Sequence, residues 1–211
     1  MRVIYLIFSL IITATLTHAQ DLPVPTGLKA EVIKDEESGE RAIHLTWDKA
    51  QSQYENLGYN LLVKFPNGKS LYLYQKAGVI YDTQYDYVFY DSYAAKYEFA
   101  LMSIVNFPSV KRSAQSETIE VIVPSRILPN IQVKSVEAKD HELSLAWDYE
   151  DILDVEGFRI YANDKLVSTL KGNDKRTWSK NFEESGKYLL EIEAFTTSGV
   201  TKKISEKICK D

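Results

Sequence analysis

The sequence predicts an all-β chain built as two antiparallel β-sandwiches in tandem. Three observations predict it. First, Ala42-Ile-His-Leu-Thr-Trp-Asp48 and Glu142-Leu-Ser-Leu-Ala-Trp-Asp148 are alternating apolar runs that both close on Trp-Asp, 100 residues apart. Second, Gly58-Tyr-Asn-Leu-Leu-Val63 and Gly157-Phe-Arg-Ile-Tyr-Ala162 follow them at nearly the same offset, and Lys96-Tyr-Glu-Phe-Ala-Leu101 is echoed by Lys187-Tyr-Leu-Leu-Glu-Ile192. Matched segments in the same order mark an internal repeat. Third, long amphipathic helical stretches are absent, while short Val-, Ile-, Tyr- and Phe-rich runs recur at regular spacing.

In chain order, residues 1–19 read as a secretory signal peptide. Arg2 gives a positive start, Val3 to Leu16 is mostly apolar, and Thr17-His18-Ala19 places small residues three and one before a cut ahead of Gln20. The apolar run falls short of the roughly 20 residues that span a bilayer, so the mature chain is expected to carry no membrane span. No Cys lies near the cut to bear a lipid. Export to the periplasm, the cell envelope or the exterior is therefore expected, and the ending Ala19-Gln20 resembles signal peptides of the Bacteroidota. The first domain is expected over 20–124, with strands at 41–48, 58–65, 97–105 and 115–123, and the second over 125–211. Pro66-Asn-Gly-Lys69 and Ala162-Asn-Asp-Lys165 have the residues of hairpin turns. Pro124 and Pro129 bracket a short junction and favour an extended, stiff connection.

These residues carry a family resemblance. Each unit resembles a fibronectin type III domain, an immunoglobulin-like sandwich. That family has a Pro-containing first strand (here Pro23-Val-Pro25 and Pro129) and a core Trp on its B strand (Trp47 and Trp147). It has an aromatic on its C strand (Tyr59 and Phe158) and a corner Tyr opening its F strand (Tyr97 and Tyr188). The likeness covers essentially the whole chain after residue 19. Phe182 fits the apolar position six residues before Tyr188. Asp91 stands at that place in the first unit, where Tyr90 or Tyr93 would have to fill the space instead.

Composition narrows the function. The 211 residues hold 25 Lys+Arg against 30 Asp+Glu, for a net charge of −5, which argues against nucleic-acid binding. One Cys, Cys209, excludes an internal disulfide framework and any thiolate-rich zinc site. His44 and His141 sit at repeat-related positions without motif partners; Leu145 holds the place where a helical zinc-protease motif needs its second His. Neither a nucleophile elbow nor a phosphate-cradling glycine loop occurs. Asp148, Glu150, Asp151, Asp154 and Glu156 crowd one loop but lack the glycine and spacing of a calcium loop, so a solvated acidic loop is expected. No catalytic, cofactor-binding or metal-ligating residue is expected, and the chain reads as non-enzymatic.

What stands out is tyrosine. Ten of fourteen fall between Tyr54 and Tyr97, where the first unit carries eight more residues than the second: Tyr59 to Tyr97 is 38, Phe158 to Tyr188 is 30. If Tyr97 faces the core, strand alternation turns Ala100, Met102 and Ile104 outward, with Leu62 beside them and Tyr72 and Tyr74 on the next strand. At the equivalent places the second unit shows Arg159, Tyr161, Glu191 and Glu193. An apolar, Tyr-rimmed strip of this kind marks an interaction site if exposed; the extra residues folding over it as a second small core is the competing expectation. The expected function is an exported interaction or spacer module that binds an envelope or extracellular protein through Leu62, Tyr72, Tyr74, Ala100, Met102 and Ile104. The alternative is carbohydrate binding or adhesion through the Tyr-rich C-to-F region. A faint likeness of residues 186–204 to type IX sorting domains is a third.

Overall fold

The computed structural model describes residues 22–35, 37–73, 78–139, 141–183 and 185–210, so the signal segment and Tyr74 lie outside the described residues. In the first unit, β1 (Lys29–Lys34), β2 (Arg41–Thr46), β3 (Gly58–Lys64), β4 (Ser70–Tyr72), β5 (Gln84–Val88), β6 (Ala95–Val105), β7 (Lys111–Arg112) and β8 (Ile119–Val123) form two sheets. Their orders are β1-β2-β5 and β4-β3-β6-β7, with β8 also on β6. The second unit repeats the plan with β9 (Gln132–Lys139), β10 (Glu142–Asp148), β11 (Val155–Ala162), β12 (Lys165–Lys171), β13 (Thr177–Asn181), β14 (Gly186–Thr196) and β15 (Thr201–Lys210). Its sheets run β13-β10-β9 and β12-β11-β14-β15, and all strand pairs are antiparallel. Both units are therefore the antiparallel β-sandwiches that the repeat predicts.

Inward alternation builds two separate cores, one closing at Val123 and the other opening at Leu128. Each is centred on the repeat's aromatic pair. Trp47 meets Tyr59 edge-on at 5.4 Å, and Trp147 meets Phe158 at 5.2 Å, a favourable geometry for ring quadrupoles. The hairpin turns form as the sequence asks. Asn163 and Asp164 take φ of 49° and 64° between β11 and β12, the left-handed pair that a two-residue hairpin requires. Gly68 (φ 78°) closes the β3–β4 turn, with Phe65 N–H donating to Lys69 O at 2.8 Å.

The first unit's corner differs from expectation. Tyr90 is 77% exposed and Tyr93 also reaches solvent, so neither fills the space. Phe89 does: it is buried, with its ring 6.2 Å from that of Tyr97. Asp91 then accepts the Tyr97 hydroxyl, so ring and carboxylate share the corner. In the second unit Phe182 packs on Tyr188 at 5.2 Å.

The apolar strip is a second correction. Leu62, Ala100, Met102 and Ile104 do lie on the outer face, since Leu61, Val63, Phe99 and Leu101 are in the core. Yet Ala100, Met102 and Ile104 are buried, Met102 at 9% exposure, and Leu62 and Tyr72 are half-buried. Part of the cover is visible in the register. Tyr72 pairs with Leu62 and Leu62 with Ala100, so the Tyr72 ring leaves the sheet edge on this face. Its hydroxyl accepts from Gln115 Nε2 at 2.7 Å, on the far side of β6. A small residue at 100 leaves room for that bridge. The second unit carries ion pairs instead: Arg159 to Glu193 at 3.1 Å, Lys203 to Glu191 at 3.5 Å.

Burial, and then the charges of Asp91 and Asp154 respectively, push the Tyr97 and Tyr149 hydroxyls well above the usual phenol value of 10.0. A raised folded pKa gives stability that is whole below the unfolded value and lost as pH rises toward the folded one. Thermal unfolding followed against pH is therefore expected to hold steady up to about pH 10 and to fall above it, where unfolded tyrosine ionises. Tyr97→Phe should flatten part of that fall.

Candidate functional site

Each sandwich has two poles. The near pole gathers the loop between the second and third strands, the crossover into the sheet-one edge strand, and the loop ahead of the last strand. The far pole carries the remaining turns and the Tyr corner. Where the units meet, the far pole of the first presses on the near pole of the second.

That junction is built from polar groups held out of water. Arg41 is buried, with Nη1 donating to Pro124 O at 2.6 Å and Nη2 to Asp91 O at 2.8 Å. Its guanidinium lies 4.7 Å from the Phe89 ring centre. Ser125, also buried, donates its N–H and its hydroxyl to the two carboxylate oxygens of Asp154, at 2.8 and 2.7 Å. Its hydroxyl oxygen accepts from Ala94 N–H at 2.9 Å. Arg126 N–H donates to Ser92 O at 2.8 Å, and Ala94 packs against the second core. Hydrogen bonds thus tie the Pro124–Pro129 segment to both units.

The acidic loop stays solvated, with Asp148, Glu150, Asp151 and Glu156 exposed, and their contacts are surface pairs. Asp148 pairs with Lys134 at 2.7 Å, Asp151 with Arg176 at 3.1 Å, and Glu156 accepts from Thr197 at 3.2 Å. No group of three or more His, Cys, Asp or Glu side chains is placed to hold a metal ion among the described residues. His44 pairs with Asp86 at 2.6 Å.

The near pole of the first unit is open. A cleft of about 470 Å³ lies between the Lys49–Leu57 loop and the Tyr81–Thr83 crossover. Backbone bonds between Tyr59 and Ile80, at 2.7 and 3.0 Å, hold the crossover against β3. Six of the eight extra residues lie in this part of the chain, since Gly58 to Gln84 is 26 residues and Gly157 to Thr177 is 20. Gly58 is required here: a Cβ would stand 2.1 Å from Val79 Cγ1 and 3.2 Å from Tyr81 Cδ1. Tyr81 rests over that glycine, 64% exposed. On the opposite wall Tyr54 accepts from Lys111 Nζ at 2.8 Å, and this cation holds its hydroxyl pKa below the usual value. Phe107, 76% exposed, and Val110 extend the pole.

The second unit fills the same space. Trp147 N–H donates to Arg176 O, as Trp47 N–H does to Thr83 O, so Arg176 and Thr83 are equivalent. Arg176 reaches into its loop, bonding Tyr149 O at 2.9 Å and Asp151 at 3.1 Å, and Tyr149 closes the floor, buried. Lys49 and Thr83 leave that volume empty in the first unit.

Of the residues expected to bind, Leu62, Tyr72, Ala100, Met102 and Ile104 share one face but not an open one, and Tyr74 is outside the described residues. Tyr54, Tyr81, Thr83 and Phe107 were not singled out from the sequence, although Tyr54 and Tyr81 fall in the Tyr-rich stretch. The signal was available in the repeat, as an Arg in one unit matched by a Thr in the other. Among the described residues no helix is long and apolar enough to cross a membrane.

No protein-family model and no curated protein matches the chain. Among solved structures it is similar to a two-fibronectin type III domain segment of chicken tenascin, at 14% identity and TM-score 0.39, covering 88% of this chain and 99% of that one. It is similar to the FN1–FN3 domains of chicken CNTN1, at 16% and 0.46, covering 90% and 67%. A third is the fibronectin(III)-like modules of Clostridium thermocellum CbhA, at 9% and 0.35, covering 81% and 85%. With identities and TM-scores this low, the architecture stands on the strand order and register described above.

Asp154→Ala removes the acceptor of two junction bonds and leaves the donors of Ser125 buried. A loss of about 2–3 kcal/mol in stability is expected in chemical denaturation. Small-angle scattering should show a broader distribution of overall dimensions, while each core keeps its aromatic circular dichroism.

Proposed function

We propose that the chain is an exported, non-catalytic interaction and spacer module, engaging an envelope or extracellular partner through the near pole of its first unit. The observation that carries this reading is the unequal use of equivalent poles. In the second unit the near pole is filled by Arg176 and occupied by the first unit through Asp154. In the first it is open and presents Tyr81 and Phe107 to solvent. The junction supports the spacer role, because a connection tied by buried hydrogen bonds from Arg41 and Ser125 resists bending more than a solvated linker does. The β4-β3-β6 face first expected to bind is largely covered, so the reading places contact at the pole. Mixed charge around the sheets and the balance of 25 basic to 30 acidic residues support a partner other than nucleic acid. The run before Gln20 supports export.

A photoreactive residue at position 107, introduced in the native cells, tests this. Covalent adducts of defined mass are expected there, with none from position 137 on the outer face of the second unit. Adducts from 137 alone, or from neither position, would remove the reading.

A further inference from the structure

We infer that the open cleft of the first unit binds an uncharged carbohydrate chain. The inference deepens the function proposed above and rests on it.

The cleft has the chemistry of a sugar site. Its volume of about 470 Å³ lies within the range of small-ligand pockets. One wall is the Tyr81 ring, which lies over Gly58 next to the Tyr59–Ile80 backbone pair. A ring mostly free of cover offers its electron-rich face to the polarised C–H groups of a pyranose. It also loses little conformational entropy on binding. The rest of the lining is polar. Gln51, Ser52, Glu55 and Asp82 bring a carboxamide, a hydroxyl and two carboxylates to the same opening. Vicinal hydroxyls of a sugar, each both donor and acceptor, pair with such groups two at a time.

Charge narrows the class. Among the described residues, Lys49 faces Glu55 and Asp82 in the lining, and Lys111 stands behind it, 2.8 Å from the Tyr54 hydroxyl, so cations and carboxylates balance. Phosphorylated, sulfated or uronic sugars would bring charge into an opening whose described cations are already matched by Glu55 and Asp82, with no surplus to hold an anion. A protein anchor is the less fitting occupant, because hot-spot pockets are desolvated and well packed, and this lining is mostly polar. Beyond the cleft, Phe107 and Val110 continue the pole and give a chain longer than one sugar further surface to cross.

The same molecule supplies its own closed form. Thr83 stands where the second unit places Arg176, and a guanidinium there would fill the opening as Arg176 does. Thr83→Arg is therefore a plug already compatible with this fold.

The test applies the full chain to an array of neutral oligosaccharides of gluco, manno, galacto and xylo configuration. Titration calorimetry follows on those retained. Binding to neutral members is expected. Tyr81→Ala and Thr83→Arg should each lower affinity at least tenfold with thermal unfolding unchanged, and Tyr90→Ala, an exposed tyrosine outside the cleft, should leave it within twofold. If one of the two cleft variants fails to fold, the other decides. Retention of no neutral member, retention of anionic members alone, or affinity indifferent to both cleft variants overturns the inference. A blank array with protein adducts from a photoreactive residue at position 81 also overturns it, yet leaves the near pole standing as the partner-binding end.

Discussion

The carboxylate of Asp154 meets the chain at the segment joining the two units, and much of the molecule's arrangement depends on that contact. Both oxygens are used, one for the N–H and one for the hydroxyl of Ser125. Asp154 is half-buried and Ser125 buried, and buried donors are costly unless paired, so each satisfies the other. Arg41 answers from the other side, satisfying Pro124 O and Asp91 O while packed on Phe89. Asp91 in turn receives the Tyr97 hydroxyl. Corner, linker and second-unit loop are therefore one connected polar structure between two apolar cores.

From that connection follows an asymmetry between two units of the same plan. A sandwich must carry its chain from one sheet to the other at each pole, and backbone groups there need partners that are not strands. The second unit supplies them with the Arg176 side chain, which bonds the carbonyl of Tyr149 across the opening. The first places no such side chain across the opening: Tyr59 pairs with Ile80 and Trp47 with Thr83 through backbone, while the Tyr59 hydroxyl accepts from Ala50 N–H at 2.9 Å and Asp82 from Thr83 N–H at 2.8 Å. The first solution fills space with a side chain; the second leaves space. One is docked and the other faces outward.

The alternation of apolar residues placed Ala100, Met102 and Ile104 correctly on the outer face, because a strand's side chains have a period of two whatever surrounds them. It could not say that the face is covered. Cover comes from the meeting of Tyr72 and Gln115, which are 43 residues apart in sequence and joined only when β4 and the segment before β8 flank the same two strands. The corner of the first unit shows the same limit. Asp91 looked like a defect in an apolar pattern, and the structure turns it into the acceptor of the corner hydroxyl, with Phe89 two residues earlier supplying the apolar contact. The acidic loop is solvated as expected, with Asp148, Glu150, Asp151 and Glu156 all exposed, but the sequence could not say which partners it meets. Lys134, Arg176, Thr197 and Ser125 reach four of its five carboxylates from other elements.

The sequence by itself determined the repeat, the all-β class and the hairpin turns. Each of these rests on local periodicity or on the backbone conformations open to Gly, Asn and Asp. Only the tertiary structure decided which tyrosines serve the core, which face is covered and which pole is open. Tyr59 and Tyr97 are buried while Tyr81 and Tyr90 are not, though all four stand in the same Tyr-rich stretch. The physical reason is that exposure and hydrogen-bond partnership depend on groups brought together from distant parts of the chain, and a linear pattern carries no record of what lies across from it.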